Sequence, residues 1–413
     1  MTGSWLVLVE SNTTGSGRLF CARARDLGLR PVLLARDPGR YPYVAEDGIE
    51  YRVVDTTSVA EVAAACAGLD GEVAGVTSSS EYFVATAHEV ARSLGRPHPD
   101  PDAVRACRDK HTQRERLRAG SVPCPAFAAA ASAEEAVRVA DAIGLPVVVK
   151  PVAGSGSIGV RRCATLPEVR AAAAAVLEVD AAALALPPQH SVVVESYLDG
   201  AEYSVETLDD RVIGVTRKHL GAEPYFVEIG HDFPAPLDEP TRSAIHDTAV
   251  AALRALGLGW GPAHIELRVT ASGPYIIEVN PRLAGGMIPR MVEEATGIDM
   301  IFQAVARAAG LAVAGAPTRS AAASIRFLVA PTGGRLIELA GVDRARALPG
   351  VAEVGLTKAI GEDLTIRNSF QDRLGYLIAT AADGAAAARL ADAARNLIEV
   401  RIEPAGALVG EGA

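Results

Sequence analysis

Two stretches in the second half of the chain alternate apolar and polar residues with a period of two. His264-Ile265-Glu266-Leu267-Arg268 is followed, after the turn sequence Ala271-Ser272-Gly273-Pro274, by Ile276-Ile277-Glu278-Val279-Asn280-Pro281-Arg282. Alternation on both sides of a turn predicts a β-hairpin. A register centred on Ser272 sets Glu266 opposite Glu278 and His264 opposite Asn280, all four on one face. Ile265, Leu267, Ile277 and Val279 then point the other way, towards a core. Near the start, apolar strands at Trp5–Val9 and Pro31–Ala35 bracket a Ser/Thr/Gly loop, residues 11–17, and a helix over Arg18–Leu27. That order opens a parallel α/β unit, and the loop, lacking a full GxGxxG, reads as the turn of a Rossmann-like unit. A strand Val73–Thr77 and a helix near Glu81–Leu94 continue it until Pro97, Pro99 and Pro101 mark a change of unit. Periodicity then predicts helices over Asp102–Ala119, Ala133–Ile143, Ala171–Leu184 (ahead of Pro187-Pro188) and Pro240–Leu256. Strands are expected at Pro146–Lys150, Ser191–Glu195 and Arg211–Leu220, with a polar loop over Glu228–Pro234. A further helix begins near Pro289. An Ala/Gly/Pro-rich linker, Gly310–Arg319, precedes strands Ser324–Ala330, Val351–Lys358 and Leu374–Thr380, a helix Ala385–Ile398, and a last strand at Glu399–Ile402.

Composition narrows the class. A chain of 413 residues is long enough for two or three domains with substantial cores. A net charge of -10 without a long basic run argues against a nucleic-acid binder. The five cysteines, Cys21, Cys66, Cys107, Cys124 and Cys163, are dispersed with no CxxC pair, which fits reduced thiols in the cytoplasm better than a disulfide framework or zinc site. The apolar run Trp5–Val9 has no basic segment before it and is expected to be a strand, not a signal peptide. No apolar stretch is long enough to span a membrane.

Two carboxylates directly opposed across a hairpin repel unless a cation lies between them. A hard divalent ion such as Mg²⁺ resolves the conflict at Glu266 and Glu278, Asn280 can add an oxygen, and Arg282 follows on the same face. A second candidate is the small-residue stretch Pro151–Val160, containing Gly154, Ser155, Gly156, Ser157 and Gly159, after a Val-rich strand ending in Lys150. Its N–H groups can wrap phosphate oxygens, although it is not a Walker A motif, and it reads equally as a hairpin tip. Glu195-Ser196-Tyr197-Leu198, followed by Glu202, suits a purine site: backbone near Tyr197 and Leu198 for the adenine edge, Glu202 for the ribose hydroxyls. Taken singly it is also an ordinary hairpin with an exposed acid. Lys110 lies on a basic helix whose charge is in the usual case that of a solvated face. Glu228 and His231 are candidates to hold an ammonium or position a nucleophile, with surface-loop polarity the alternative. Gly285-Gly286 leave room for a substrate against the backbone.

In their order along the chain, Lys110, Lys150, the glycine stretch, Glu195 to Glu206, Glu266 and Glu278-Val279-Asn280-Pro281-Arg282 resemble the ATP-grasp superfamily. Within it the chain is most similar to carboxylate–amine ligases that include L-amino-acid ligases. The segment Arg373–Thr380 with its Ala-rich helix resembles their C-terminal unit. The resemblance implies an α/β protein: a Rossmann-like domain (1-108), an ATP-grasp domain (109-320) with a mobile lid (about 124-198), and a small α/β domain (321-413). It makes Lys110 and Lys150 phosphate lysines and Gly154–Gly159 the lid loop. Glu195, Ser196, Tyr197 and Leu198 line the adenine, and Glu202 holds the ribose. Glu266, Glu278 and Asn280 ligate one or two Mg²⁺ ions, with Mn²⁺ an alternative, and Arg282 faces the substrate carboxylate. Partners are then ATP, a small carboxylate such as an amino acid, and an amine or second amino acid, in a homodimer. Two other readings stay open. One is a purine-pathway or biotin-carboxylase-like enzyme activating formate or bicarbonate. The other is a catalytically silent nucleotide-binding protein on the same fold.

Overall fold

The computed structural model describes residues 3–12, 16–178, 190–313 and 316–404. Residues 13–15 of the first loop, the expected helix beyond residue 178, Pro187-Pro188 and residues 314–315 of the linker lie outside the described residues.

The N-terminal strands form a parallel sheet in the order Glu50–Val53, Arg30–Ala35, Trp5–Val9, Val73–Thr77. Trp5–Val9 is buried along its whole length, and its continuous apolar run is what a parallel strand covered on both faces requires. One face also packs on Ile301, Ala304, Val305 and Ala308 of the helix Met300–Ala308, which ties this sheet to the middle of the chain.

The central sheet is antiparallel and eight-stranded: Gly273–Asn280, Pro262–Thr270, Ala201–Leu208, Arg211–Leu220, Glu228–Phe233, Ala322–Val329, Arg373–Ala381, Val351–Leu356. Helix Glu239–Leu256 begins at the Asp238 cap and ends at Gly257, which takes the left-handed conformation. It lays Ile245, Ala249, Ala252, Leu253 and Leu256 against Ile265, Leu267, Ile276 and Val279 of the hairpin. Strands from both sides of the 310–319 linker share this sheet, because Glu228–Phe233 pairs with Ala322–Val329. A smaller sheet, Phe127–Ala130, Val192–Ser196, Val147–Pro151, Arg161–Cys163, packs on helices Ala133–Ile143 and Leu166–Leu177. Asp363–Leu364, Gly334–Ala340 and Glu399–Glu403 form the last sheet. Among the described residues no helix is long and apolar enough to cross a membrane, and all five cysteines are free.

The expected elements differ from the structure in several places, among them the helix expected over Ala171–Leu184, which is Leu166–Leu177. Residues 228–234 are not a polar loop: Glu228–Phe233 is an interior strand with a partner on each side, and those ladders override its Gly, His and Asp content. The helix expected over Asp102–Ala119 is two, Pro101–Arg108 and Lys110–Ala119, broken at Asp109. There the backbone is extended, and the Asp109 carboxylate caps the N–H of Thr112. The helix expected from Glu81 begins at Val84. The hairpin turn is shorter than expected, since Gly273 already pairs with Thr270. A bulge at Ile277 then restores the pairing of Glu266 with Glu278 and His264 with Asn280. Its consequence is that Ile276, not Ile277, is buried in the core, and Ile277 turns to the cleft.

Candidate active site

The cleft opens between the polar face of the hairpin and the small sheet. Lys110 enters from the start of its helix, at the break after Asp109. Its backbone N–H donates to the Val152 carbonyl (2.9 Å), its ammonium to the Gly154 carbonyl (2.8 Å), and Nζ lies 3.1 Å from Glu278 Oε1. The helix break is what makes this lysine a buried cleft residue and not part of a solvated face. Lys150 is the penultimate residue of the strand Val147–Pro151, with Nζ 2.6 Å from Glu195 Oε2. Arg114 Nε lies 2.9 Å from the other Glu195 oxygen. Burial pulls Lys150 down to about 8 despite Glu195. Burial would raise Glu195, but Arg114 and Lys150 hold it below the usual carboxylate range.

Residues 152–160 connect two antiparallel strands, so the small-residue stretch is a hairpin tip over the cleft. Gly154, Gly156 and Gly159 all have positive φ, and Ser157 joins them at 60°. A side chain on Gly156 would run into the ring of Phe370, which reaches over from the C-terminal part of the chain. Glycine is needed here both for its backbone angles and for the close approach.

The opposed carboxylates each meet a lysine. Lys218 Nζ sits among Glu228 Oε1 (2.5 Å), Glu266 Oε1 (3.1 Å) and Glu202 Oε1 (3.5 Å). Burial would depress its pKa, yet the three carboxylates raise it well above the ordinary lysine range. His264 bridges Glu206 Oε1 (2.8 Å) and Glu266 Oε1 (3.0 Å). Burial opposes its protonation, but Glu206 and Glu266 lift its pKa to about 9, so it is a cation at neutral pH. Arg268 binds Glu202 (3.1 Å) and the Leu198 carbonyl (2.9 Å). Among the described residues, the partners of Glu266 and Glu278 fall on Oε1 of each. The second oxygen of each carboxylate is left over, on one face with Asn280 two residues along the strand. Oxygen-only donors of this kind fit a hard divalent ion. No three His, Cys, Asp or Glu side chains among the described residues are gathered as a metal cage. The protein's share would be two carboxylates and an amide, as at sites where phosphates complete the shell.

The strand stops at Asn280 and does not continue through Pro281: the Arg282 N–H turns back to the Asn280 carbonyl. The Arg282 guanidinium is partly buried and pairs with Glu81 of the N-terminal unit. His231 is fully buried, its ring edge-on to Phe327, and burial lowers its pKa to about 3. It is therefore a neutral imidazole, and neither ring nitrogen has a hydrogen-bond partner among the described residues. Gly286 lies beside it; a Cβ there would sit 3.1 Å from His231 Nε2. Arg373 stacks 3.5 Å from the Phe327 ring centre and donates to the Glu228 carboxylate (2.9 Å) and carbonyl (3.1 Å).

The cleft thus brings together Lys110, Lys150, Gly154 to Ser157, Glu195 to Leu198, Glu202, Glu228, Glu266 and Glu278. Gly159, Asn280, Arg282, Gly285, Gly286 and His231 are not among the residues lining it. Sequence reasoning missed Lys218, Arg268, Phe226, Phe370 and Arg373. Lys218 pairs across the strands with Glu202. Counting back from the Asp209-Asp210 turn would set Arg217 there, and the bulge between Val212 and Gly214 moves Lys218 into place.

Comparison with known proteins places this architecture. The family described as ATP-grasp domain matches residues 143–290, and L-amino acid ligase C-terminal domain 2 matches residues 326–403. An uncharacterized protein, y4rH, of Sinorhizobium fredii (strain NBRC 101917 / NGR234) is 39% identical over 97% of this chain and 83% of its own length. A D-alanine–D-alanine ligase of Ralstonia nicotianae (strain ATCC BAA-1114 / GMI1000) is 27% identical over 48% of this chain and 63% of its own. The crystal structure of an L-amino acid ligase from Bacillus licheniformis superposes with a TM-score of 0.79 at 21% identity, covering 98% of this chain and 100% of that one. The chain belongs to the ATP-grasp superfamily, among its carbon–nitrogen bond-forming ligases.

Proposed function

We propose that the protein joins a carboxylate, an amino acid, to an amine or second amino acid through an acylphosphate, releasing ADP and phosphate. The observation that carries this reading is the arrangement of two buried lysines and a glycine hairpin opposite a matched carboxylate pair. In this reading Lys110 and Lys150 hold the phosphates under the hairpin Gly154–Gly159. Glu195, Ser196, Tyr197 and Leu198 receive the adenine, and Glu202 the ribose. Glu266, Glu278 and Asn280 would hold Mg²⁺, which when bound screens the charge of the phosphates.

Arg282 holds the acyl carboxylate as it attacks the γ-phosphate. The amine then displaces phosphate, and water kept out by the closed hairpin cannot compete. Glu228, with its charge anchored by Lys218, suits the ammonium of an amino acid; neutral His231 suits a hydrogen bond at its side, and Gly285-Gly286 leave space. Lys218, held among three carboxylates, fixes the charges of Glu202, Glu228 and Glu266 beside the cleft.

The test is phosphate release with ATP, Mg²⁺ and pairs of amino acids or amines, products identified by mass. ADP formation that requires both partners supports the ligase. Turnover stimulated by bicarbonate alone overturns it.

A further inference from the structure

Arg282 is oriented from outside its own part of the chain. Glu81 follows the strand Val73–Thr77, at the carboxyl end of the N-terminal sheet. The edge between Trp5–Val9 and Val73–Thr77 is where the strand order reverses, the place where open α/β sheets present ligand-binding residues. The turn carrying Glu81 is pinned: Ser78 Oγ donates to the Val9 carbonyl (2.6 Å) and accepts from the Ser80 N–H (3.0 Å). The sheet beneath it is fixed against helix Met300–Ala308.

One oxygen of Glu81 accepts from Arg282 Nε (3.1 Å) and Nη2 (2.5 Å), and the other pairs with Arg108. Arg282 Nη1 donates to the Leu283 carbonyl (2.9 Å). A guanidinium has five N–H bonds. These contacts use three of them and leave one on each terminal nitrogen, the pair that grips a carboxylate in a fork. Glu81 is itself strongly ionised: burial would raise its pKa, but Arg282 and Arg108 bring it to about 2. Without Glu81, the Leu283 carbonyl would be left to hold the Arg282 guanidinium.

We propose that Glu81 is a positioning residue: by holding the Nε edge of Arg282, it aims the remaining fork at the acyl carboxylate and makes the N-terminal unit part of the active site. This rests on the reading of Arg282 given above. The experiment compares Glu81→Gln, Glu81→Asp and Arg282→Ala in the full chain, singly and as Glu81→Gln with Arg282→Ala. ATP binding and ligation are measured separately.

Glu81→Gln is expected to lower kcat for ligation by on the order of tenfold to a hundredfold, with ATP affinity unchanged. Glu81→Asp should retain more activity than Glu81→Gln, and Glu81→Gln should add nothing once Arg282 is alanine. Wild-type ligation in Glu81→Gln beside an impaired Arg282→Ala overturns the proposal. So does a Glu81→Gln loss that persists undiminished in the Arg282→Ala background, or Glu81→Asp falling below Glu81→Gln. Normal ligation in Arg282→Ala would instead remove the underlying reading of Arg282.

Discussion

Two hairpins face each other across the cleft and are built in opposite ways. The hairpin Pro262–Asn280 has one face sealed in a core of Ile265, Leu267, Ile276 and Val279. Its outer strand is an edge, but not a bare one. The Gln113 carboxamide donates to the Val279 carbonyl (2.8 Å) and accepts from its N–H (2.9 Å), Arg114 donates to the Ile277 carbonyl, and the Ile276 N–H reaches the Pro123 carbonyl (2.9 Å). The hairpin around 152–160 has no such core at its tip. Lys110 ties it through the carbonyls of Val152 and Gly154, and Phe370 packs on Gly156. Under the proposed function, the groups that hold charges at fixed spacing sit on the buried framework, and the part that opens for a nucleotide hangs on a few polar contacts.

If that division is right, changes to the first hairpin act on chemistry and changes to the second on nucleotide entry. The largest effect is expected from Glu278→Gln, which should abolish turnover at low Mg²⁺ while circular dichroism stays native. Unchanged turnover at saturating ATP and low Mg²⁺ would break the assignment. Arg282→Ala should lower kcat by on the order of 10²–10³ without weakening ATP binding. Arg282→Lys, which keeps the charge and loses the fork, should remain impaired. Weakened nucleotide affinity with normal ligation would move Arg282 to the nucleotide.

Lys150 sharpens the comparison through pH. Its pKa is lowered to about 8 by burial, and under the proposed function the protonated form is the one that binds phosphate. In the free enzyme, kcat/KM for ATP should therefore fall as pH rises through about 8. Lys150→Arg, charged throughout, should flatten that limb; a limb that survives it belongs to another group. The smallest effect is expected at the second hairpin. Gly156→Ala places a side chain at φ 67° against Phe370. A cost of about 1–2 kcal/mol, roughly tenfold, should appear in KM for ATP and not in kcat. Hydrogen exchange at residues 154–159 should slow on adding ATP and Mg²⁺, whereas exchange at 276–279 should barely change. Equal protection of 154–159 in both states would erase the distinction between the hairpins.

By itself the sequence determined what local pattern and residue order carry. Alternation about a turn led to the pairing of Glu266 with Glu278 and His264 with Asn280, and the structure has that pairing, reached through a shorter turn and a compensating bulge at Ile277. The Rossmann-like start, the helix before the hairpin and the C-terminal strands were legible for the same reason: each buries one face or one run of its own residues. Tertiary structure decided what needs a partner distant in the chain. Glu228–Phe233 is a strand because two neighbours supply its hydrogen bonds. Lys110 is a cleft residue because the helix breaks at Asp109. Bulges opposite Glu206 and Glu266 choose which side chains face the cleft, bringing in Lys218 and turning Ile277 outward. A bulge shifts every residue beyond it by one position on a two-residue repeat, and its place is set by packing against other elements. Glu81 meets Arg282 across 201 positions of chain. No periodicity spans that distance; the docking of the N-terminal sheet on helix Met300–Ala308 helps to bring the two together.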